Sequence, residues 1–402
     1  MTQPSPSKPV DEVARSVRRL LHRRLLTERA MLSGAERDVK LHEWGGGRFR
    51  ARLRSMLDDV IDNDRLSPGG IMAMHLYFRR RLANRLRLIE ALRQDPSLAE
   101  VPVAAPLVVV GFYRSGTTLL HNLLSFDDDH RAPRTWEMWY PAPYYDNERL
   151  DRARRRAQTG AYLALSRALV PDQRQVHFIT ADSPEECLFL LEHAMVNSMA
   201  PISFVTFDYA RRLLDDDLDD AYALHKRQLQ LLTDRAAPMP WVLKCPYHTW
   251  HLDALLRTYP DARVVYTHRN VVQSLGSSCS LTSVMARPMA HALDETEIGA
   301  FWSEHYRAAL DRVARVRERV DPARICDVRY PDLMADPVGT VRRVYKHFGM
   351  RWRPMVRQRI EEHLERHPKD VHGVHEYTLG EFGLTEGGVR ERFGDYHRAY
   401  DL

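Results

Sequence analysis

The sequence predicts an α/β protein in which helices flank a parallel sheet, preceded by a helical segment at the N-terminus. Short apolar runs, rich in β-branched residues and bounded by proline, glycine or charged residues, are typical of buried parallel strands. They cover residues 107–110, 241–243, 262–266 and 325–328. Longer helical patterns separate these runs, and this alternation indicates a parallel sheet.

The N-terminal segment has no such run and is predicted to form amphipathic helices. Val13, Val17 and Leu20 recur at helical spacing, and arginines fill much of the rest of the helix surface. A later helix is predicted to begin at Ser67-Pro68. We interpret the arginine-rich faces as solvated helix surfaces, with a position next to lipid as the alternative.

The chain has 402 residues and 59 Lys+Arg against 54 Asp+Glu, for a formal net charge of +5. This balance does not suggest nucleic acid as a partner, but it is compatible with a local basic site for an anionic ligand. The composition changes at residue 101. We therefore expect a helical segment over residues 1–100 and one further domain over residues 101–402.

Neither a secretory signal nor a run of about 18 apolar residues is found, so we expect a cytoplasmic protein without a transmembrane segment. The cysteines stand far apart in the sequence, which fits a reducing compartment and indicates neither a disulfide framework nor a zinc knuckle. They are Cys187, Cys245, Cys279 and Cys326.

A glycine-bounded turn joins the first predicted strand to a helix that starts near Gly116. Backbone N–H groups and the helix dipole bind anions at such a turn. Residues 111–118 share both glycines and the last threonine of the P-loop pattern G-x-x-x-x-G-K-[ST], but Thr117 replaces the lysine. No acidic strand end that would hold magnesium is evident. We therefore expect a P-loop-like site for a single 5′ phosphoryl-type group, with Arg114 as its cation and no metal.

The stretch from Tyr113 to Thr118 resembles the 5′-phosphosulfate loop of the sulfotransferases that use 3′-phosphoadenosine 5′-phosphosulfate (PAPS). Tyrosylprotein sulfotransferases and many bacterial members of that family have arginine at the position of Arg114, where many cytosolic members have lysine. Arginine stays charged and can bind two oxygens at once. The resemblance implies that the donor contacts Arg114, Ser115, Gly116, Thr117 and Thr118.

A second motif follows the third predicted strand. Arg269 stands just after that strand, and Ser277 follows eight residues later in a predicted helix. The pair resembles the 3′-phosphate site of the same family, where a guanidinium and a hydroxyl bind one phosphate. This chain has Val271 and Val272 where the family usually has a proline, so Ser274 is the alternative to Ser277.

Sulfuryl transfer needs cations at the transferring group and a general base for the acceptor hydroxyl, by analogy with phosphoryl transfer. Arg114 is expected to be the first cation. Lys244 is expected to be the second, because it ends the second predicted strand and strand ends face the ligand crevice. Its position resembles that of the Lys-x-Pro lysine of tyrosylprotein sulfotransferases.

The general base has several candidates. Glu137 is placed like the glutamate base of the tyrosylprotein enzymes. Glu185 and Glu186 are predicted to open a helix, where Ser183 and Glu186 would form a capping box that explains Glu186 without chemistry. His177 is the last contender, since many cytosolic sulfotransferases use a histidine near this stage of the chain. We place Glu137 and Glu186 in the predicted site.

Residues 329–337 and 375–384 resemble later segments of the bacterial branch of the family, so the resemblance covers about residues 106–400. It implies transfer of the sulfuryl group of PAPS to a hydroxyl of a small or lipophilic acceptor, with release of 3′-phosphoadenosine 5′-phosphate (PAP). The aromatic stretch 136–145 is predicted either to line a pocket for a phenol, sterol or lipid alcohol or to pack in the core.

Two other classes of protein share the opening strand, loop and helix. A P-loop kinase-like enzyme would require a lysine at position 117 and a magnesium carboxylate. A non-catalytic scaffold would bind the nucleotide without turnover, and the N-terminal helices would then offer a surface for a homodimer.

Overall fold

A parallel sheet forms the centre of the fold, in agreement with the predicted α/β class. The computed structural model describes residues 8–169, 179–366 and 378–402. The strands are β1 (Leu107–Gly111), β2 (Val242–Lys244), β3 (Arg263–His268) and β4 (Ile325–Arg329), and their order across the sheet is β2-β1-β3-β4. All three strand pairs are parallel.

The third strand is longer at its carboxyl end than the sequence predicted. The apolar run ends at Tyr266, but pairing with β4 continues to His268, which lies opposite Arg329. Backbone pairing extends the strand because Thr267 also pairs with Gly111 of β1. Both polar residues are buried, so strand β3 ends directly at Arg269.

Side chains of alternate residues along β1 contribute to two separate hydrophobic cores. Val108 and Val110 belong to the larger core, whereas Leu107 and Val109 belong to the smaller one. This follows from the period of two in a strand, and it explains why β1 is apolar throughout. Helices cover both faces, as a parallel sheet requires.

The N-terminal helices pack against one another and contribute to the larger core. They are α1 (Lys8–Leu25), α2 (Glu28–Val39), α3 (Phe49–Asn63) and α4 (Pro68–Gln94). The predicted start at Ser67-Pro68 is confirmed, since the Ser67 hydroxyl accepts a hydrogen bond from the Gly70 N–H at 3.0 Å. Phe49 and Phe78 pack in the same core as the sheet residue Val108. The boundary at residue 100 stays a prediction.

Further helices connect and follow the strands. They are α5 (Thr117–Leu124), α6 (Thr135–Trp139), α7 (Glu148–Leu169), α8 (Leu188–Leu191), α9 (Met199–Phe204), α10 (Phe207–Leu214), α11 (Asp219–Leu232), α12 (Leu252–Thr258), α13 (Val271–Ala286), α14 (Glu295–Arg317), α15 (Tyr330–Ala335), α16 (Pro337–His347), α17 (Pro354–Arg366), α18 (Glu386–Arg392) and α19 (Gly394–Tyr400). Short 3₁₀ helices span Pro96–Glu100, Glu192–Ala194, Pro246–Thr249, Pro322–Arg324 and Leu379–Phe382. Across the described ranges, no helix is both long enough and apolar enough to cross a bilayer.

Candidate active site

The loop between β1 and α5 has the backbone conformation of an anion-binding turn. Gly111 has φ +140°, Arg114 φ +66° and Gly116 φ +88°. Glycine adopts such values without strain, whereas at Arg114 they place an L-residue in the left-handed region at the apex of the loop. Helix α5 then begins at Thr117, and its first N–H groups have no intrahelical acceptor.

Both glycines are required by their neighbours as well as by their backbone angles. A Cβ on Gly111 would collide with the Thr267 side chain, and one on Gly116 would lie 2.9 Å from a ring carbon of Tyr330. The loop is thus pressed between β3 on one side and the start of α15 on the other. This close packing holds the N–H groups of the helix start in a fixed position.

The hydroxyl side chains of the loop differ in their roles. The Ser115 hydroxyl is fully buried, donates to the Phe112 carbonyl at 2.6 Å and lies 2.6 Å from the Thr267 hydroxyl. It therefore braces the loop from inside. Thr117 is also buried, whereas Thr118 is exposed and its Oγ1 lies 3.4 Å from Nζ of Lys244.

Arg269 connects the two motifs that the sequence placed far apart. Its Nη1 donates to the backbone carbonyl of Arg114 at 2.5 Å, and its guanidinium lies 4.1 Å from the centre of the Tyr330 ring. Its Nε donates to Gln273 at 3.1 Å. The guanidinium thus stands beside the 5′ loop, at the edge of the sheet where the strands end.

Ser277 lies on the same face of α13 as Gln273, because the two residues are one helical turn apart. Ser277 is partly exposed. Ser274, by contrast, is buried, and its hydroxyl donates to the Asn270 carbonyl of its own helix at 3.2 Å. The geometry therefore favours Ser277 over Ser274 as the hydroxyl beside Arg269.

Lys244 ends β2 and is buried, with 1% of its side chain exposed. Its ammonium forms an ion pair with the Glu186 carboxylate and also lies near the Thr118 hydroxyl. The backbone fixes this meeting, because the Cys187 N–H donates to the Lys244 carbonyl at 2.9 Å. A cation, a carboxylate and the start of the loop helix thus come together at the carboxyl edge of the sheet.

Glu185 and His121 lie next to this pair. The Glu185 carboxylate is buried and accepts a hydrogen bond from the Glu186 N–H at 2.8 Å. Nε2 of His121 lies 3.2 Å from the Val242 carbonyl. Burial, and after it the Lys244 ammonium, lowers the pKa of His121 to about 3, so this histidine is neutral near pH 7.

Glu137 has other partners. One oxygen accepts a hydrogen bond from the Arg134 N–H at 2.8 Å at the start of α6, and the other forms an ion pair with Arg131. Arg131 also stacks on Trp241, at the opposite end of β2 from Lys244. In the described part of the chain, no hydrogen bond joins Glu137 to Lys244 or to the loop.

The helix predicted to open at Ser183 begins later. The Ser183 hydroxyl bonds with the Thr180 backbone at 3.0 Å rather than with Glu186, and α8 starts at Leu188. The predicted capping box is therefore wrong, and the carboxylate of Glu186 contacts Lys244 instead. His177 lies outside the described residues.

The C-terminal motif is described from residue 378. Within it, the Leu379–Phe382 turn packs on α14, where the Phe382 carbonyl leaves no room for a side chain at Gly299. Residues 375–377 of that motif lie outside the described ranges.

The aromatic stretch 136–145 divides into a buried part and a surface part. Trp136, Trp139 and Tyr140 are buried, and Tyr145 is exposed. Trp139 makes an edge contact with Phe189, with ring centres 5.3 Å apart. These three buried side chains therefore agree with the interpretation that the stretch packs in the core. Phe189 stands three residues after Glu186 in the sequence, in the short helix α8.

Two residues of the site were not singled out from the sequence. Tyr330 lay within a quoted motif, but its contact with Gly116 and Arg269 arises only when β4 and β3 pair. Thr267, whose hydroxyl lies beside that of Ser115, was not assigned a role either. A signal existed for Tyr330, since an aromatic residue directly after a strand end lies at the ligand edge of the sheet.

Cys187, His225 and His248 offer ligand-type atoms within 4.8 Å of one another and are buried. Nδ1 of His225 bonds with the Tyr259 hydroxyl at 2.7 Å, and Nδ1 of His248 with that of Tyr222 at 2.8 Å. Burial lowers the pKa of His225 to about 3 and raises the pKa of Cys187 to about 12. Of the residues described, this is the group that could hold a metal ion, and its members are too far apart in sequence to suggest it.

Known proteins share this architecture. The sequence profile of the sulfotransferase family matches residues 106–354. The crystal structure of sulfotransferase STF1 from Mycobacterium tuberculosis H37Rv matches with a TM-score of 0.83 and 32% identity, over 92% of this chain and 99% of that chain. Sulfotransferase STF9 from Mycobacterium avium matches with a TM-score of 0.81 and 29% identity, over 92% of this chain and 96% of that chain.

A curated relative is similar along most of the sequence. The omega-hydroxy-beta-dihydromenaquinone-9 sulfotransferase Stf3 of Mycobacterium bovis and of Mycobacterium tuberculosis is 25% identical over 324 residues, which are 74% of this chain and 77% of the relative. The profile match covers the sheet, the loop, Lys244 and Arg269. With the family profile spanning more than half of its length and the fold in agreement, this chain is a member of the sulfotransferase family.

Proposed function

We propose that this protein transfers the sulfuryl group of PAPS to a hydroxyl of a lipophilic acceptor. One observation carries the proposal: the guanidinium of Arg269 binds the carbonyl of Arg114 at 2.5 Å, so the 5′ and 3′ motifs form one continuous site. A donor with phosphate groups at both its 5′ and its 3′ positions fits such a site, because each motif supplies cations and polar hydrogens to one of them.

The donor is bound at its two ends. The N–H groups at the start of α5 and the side chain of Arg114 hold the 5′ group, and Gly116 and Thr117 supply the backbone there. Arg269 and Ser277 bind the 3′ phosphate. The Tyr330 ring, on which Arg269 stacks, keeps that guanidinium extended toward the ligand.

Transfer takes place between Arg114 and the Lys244–Glu186 pair. The acceptor oxygen attacks sulfur and forms a new S–O bond, and the bond from sulfur to the 5′ phosphate oxygen breaks. Lys244 and Arg114 stabilise the charge that develops on the sulfuryl and bridging oxygens. Glu186 takes the proton of the acceptor hydroxyl. PAP leaves with the electron pair of the broken bond, and no step requires a metal ion.

Among the base candidates, Glu186 has the best position. Its carboxylate touches Lys244, and Lys244 in turn touches the hydroxyl at the start of the loop helix. A base must lie within hydrogen-bond reach of the atom it deprotonates, beside the group that is transferred. Glu137 instead forms an ion pair with Arg131 and accepts a hydrogen bond at the start of its own helix.

The lipophilic acceptor is proposed from the relative and from the surroundings of Glu186. Stf3 carries the name of a sulfotransferase for a hydroxylated dihydromenaquinone. In this chain, Phe189 follows Glu186 by three residues and packs on Trp139. Such an aromatic pair favours an apolar alcohol over a sugar or an acidic peptide.

Calorimetric titration with PAP in the absence of magnesium, alongside AMP and ATP, tests the donor site. We expect micromolar binding of PAP and much weaker binding of AMP and ATP, since neither carries a 3′ phosphate. Preference for ATP, or binding only with magnesium, would overturn the proposal in favour of a kinase-like enzyme.

Turnover with radiolabelled PAPS then tests the acceptor. A long-chain isoprenoid alcohol and glucose serve as the apolar and polar probes. We expect label in the isoprenoid alcohol. Micromolar PAP binding without transfer to any hydroxyl probe would instead support the non-catalytic scaffold.

A further inference from the structure

Helix α1 exposes a row of apolar side chains. Val13, Val17 and Leu20 are 65%, 39% and 50% exposed and follow one another at spacings of four and three residues. They therefore share one face of the helix. Together with Glu12 and Ser16, they line a shallow depression on the surface.

The opposite face of α1 is well docked. Arg18 is buried and its guanidinium binds both carboxylate oxygens of Asp64 at 3.1 Å. His22 is buried as well, and the following Leu26 packs in the larger core. The exposure of the apolar row is therefore a property of a helix that is fixed in place.

A row of arginines flanks the apolar row. Arg15, Arg19 and Arg23 are exposed and lie four residues apart, so they form a second line along the helix. On the helical repeat of 3.6 residues per turn, this line lies between the docked face of Arg18 and the apolar row, with Arg15 nearest to Arg18 and Arg23 nearest to Leu20. As far as the chain is described, no acidic side chain forms a salt bridge with these arginines.

We propose that this face of α1 binds the surface of a membrane that contains anionic lipids. The apolar row would enter the boundary between headgroups and acyl chains, and the arginine row would bind the lipid phosphates. Three modest apolar side chains give weak insertion, so the charges are needed as well. This predicts reversible, salt-sensitive binding of the folded protein to the bilayer surface.

A second copy of the chain fits this face less well. In an antiparallel symmetric dimer the same face meets itself, so the three arginines of each copy would meet those of the other, and Glu12 is the one acidic side chain that each copy adds to this face. The apolar row is also small compared with the area that a stable interface buries. Anionic headgroups supply the charge that a second copy lacks.

The purpose of this contact rests on the proposed function. A lipophilic acceptor with a long apolar chain resides in the bilayer, and an enzyme that docks on the surface would meet the acceptor hydroxyl there. The contact itself depends only on α1, so it can be tested apart from the chemistry.

Sedimentation with vesicles tests the proposal on the full chain. We expect binding to vesicles of phosphatidylglycerol and phosphatidylcholine, and little binding to vesicles of phosphatidylcholine alone. The variant Val13→Asp/Leu20→Asp, and separately Arg19→Glu/Arg23→Glu, should each weaken binding by about tenfold or more. High salt should also weaken the binding of the wild-type protein to anionic vesicles.

Matched controls carry the same changes elsewhere on the surface. Met355 is 54% exposed on α17, and Arg342 and Arg351 are exposed arginines away from α1. Met355→Asp and Arg342→Glu/Arg351→Glu should bind vesicles like the wild type. Equal binding by wild type and α1 variants, or no preference for anionic vesicles, would overturn the proposal. Concentration-dependent dimerisation that the α1 variants abolish, without vesicle binding, would assign the face to a second copy.

Calorimetry with PAP in solution separates this proposal from the proposed function. The α1 variants should bind PAP like the wild type, and their circular dichroism should be unchanged. If PAP fails to bind any form while vesicle binding follows the pattern above, the proposed function falls and the membrane contact stands.

Discussion

Lys244 is a buried cation that is paired with the carboxylate of Glu186. A buried ammonium is costly unless a counter-charge lies beside it, and Glu186 supplies that charge. The pair is therefore neutral as a whole, yet it places a proton acceptor and a cation beside Thr118 at the start of the loop helix. In the proposed mechanism, Glu186 would take the proton of the acceptor hydroxyl, and Lys244 would stabilise the charge on the leaving oxygen.

The substitution Glu186→Gln tests whether Glu186, rather than Glu137, is the general base. We expect turnover to fall by about 10²- to 10⁴-fold, because the amide cannot take the acceptor proton, while PAP binding measured by calorimetry stays unchanged. Glu137→Gln is the matched control and should keep its turnover, although it should lose about 1 kcal/mol of stability with the weakened Arg131 ion pair. Loss of turnover in Glu137→Gln with a retained melting temperature would instead make Glu137 the base.

Lys244→Ala and Arg114→Ala test the cations. Each should slow transfer by about one to three orders of magnitude, the usual loss for one electrostatic donor in a transition state. Single-turnover rates with saturating PAPS measure the chemical step apart from donor binding. Near-normal rates in either variant would remove that residue from the mechanism.

The loop from β1 to α5 is shaped by its neighbours as much as by its own sequence. Gly111 and Gly116 both have positive φ, and both face side chains of other segments. Ser115 adds a buried hydrogen bond to Thr267 of β3. The loop is therefore braced before any ligand binds, which limits the conformational entropy that donor binding costs.

Gly116→Ala should weaken PAP binding by about tenfold or more, since its Cβ would lie 2.9 Å from the Tyr330 ring and push that ring away from Arg269. Gly349→Ala is the matched control, because Gly349 also has positive φ, at +62°, but its added Cβ would meet nothing within 4 Å. Calorimetry on both variants separates the clash from the backbone strain. Equal affinity in the two variants would show that the contact with Tyr330 does not position the site.

A buried carboxylate joins segments that pack around the smaller core. Asp127 follows α5 and is 2% exposed, and its Oδ2 accepts a hydrogen bond from the Tyr345 hydroxyl at 2.7 Å. The other oxygen forms an ion pair with Arg353. Burial by itself would raise the pKa of Asp127, but the hydrogen bonds outweigh it and hold the pKa well below its ordinary value.

Asp127→Asn should lower the stability by about 2 kcal/mol at neutral pH. The folded-state pKa is depressed, so the carboxylate stabilises the protein above the unfolded pKa of about 4 and loses this effect as pH falls below it. The difference between wild type and variant in denaturant unfolding should therefore shrink in acid. Asp128→Asn, which breaks only an exposed pair with Arg359, should cost less than about 0.5 kcal/mol. If the difference in unfolding free energy between wild type and Asp127→Asn did not change with pH, the charge of Asp127 would not be what stabilises the protein.

Local patterns in the sequence were sufficient for the strands and for the loop. Each apolar run that was predicted as a strand pairs in the parallel sheet, because β-branched residues between turn signals form buried strands whatever their partners are. The turn between β1 and α5 was equally predictable, since its glycines and threonines all lie within residues 111–118. The ends of β3 were not, because pairing with β4 extends that strand past its apolar residues.

Local sequence patterns were thus enough to establish the class of fold, the order of the motifs and the family. Which side chains meet depends on how distant segments pack. Glu186 lies 58 residues from Lys244 in the chain, and the pair forms because the backbone at Cys187 bonds with that of Lys244. The Cys187–His225–His248 cluster and the exposed row of α1 likewise depend on packing between distant segments. Spacing along the chain records local conformation, whereas contacts between segments are set only when their apolar faces are buried together.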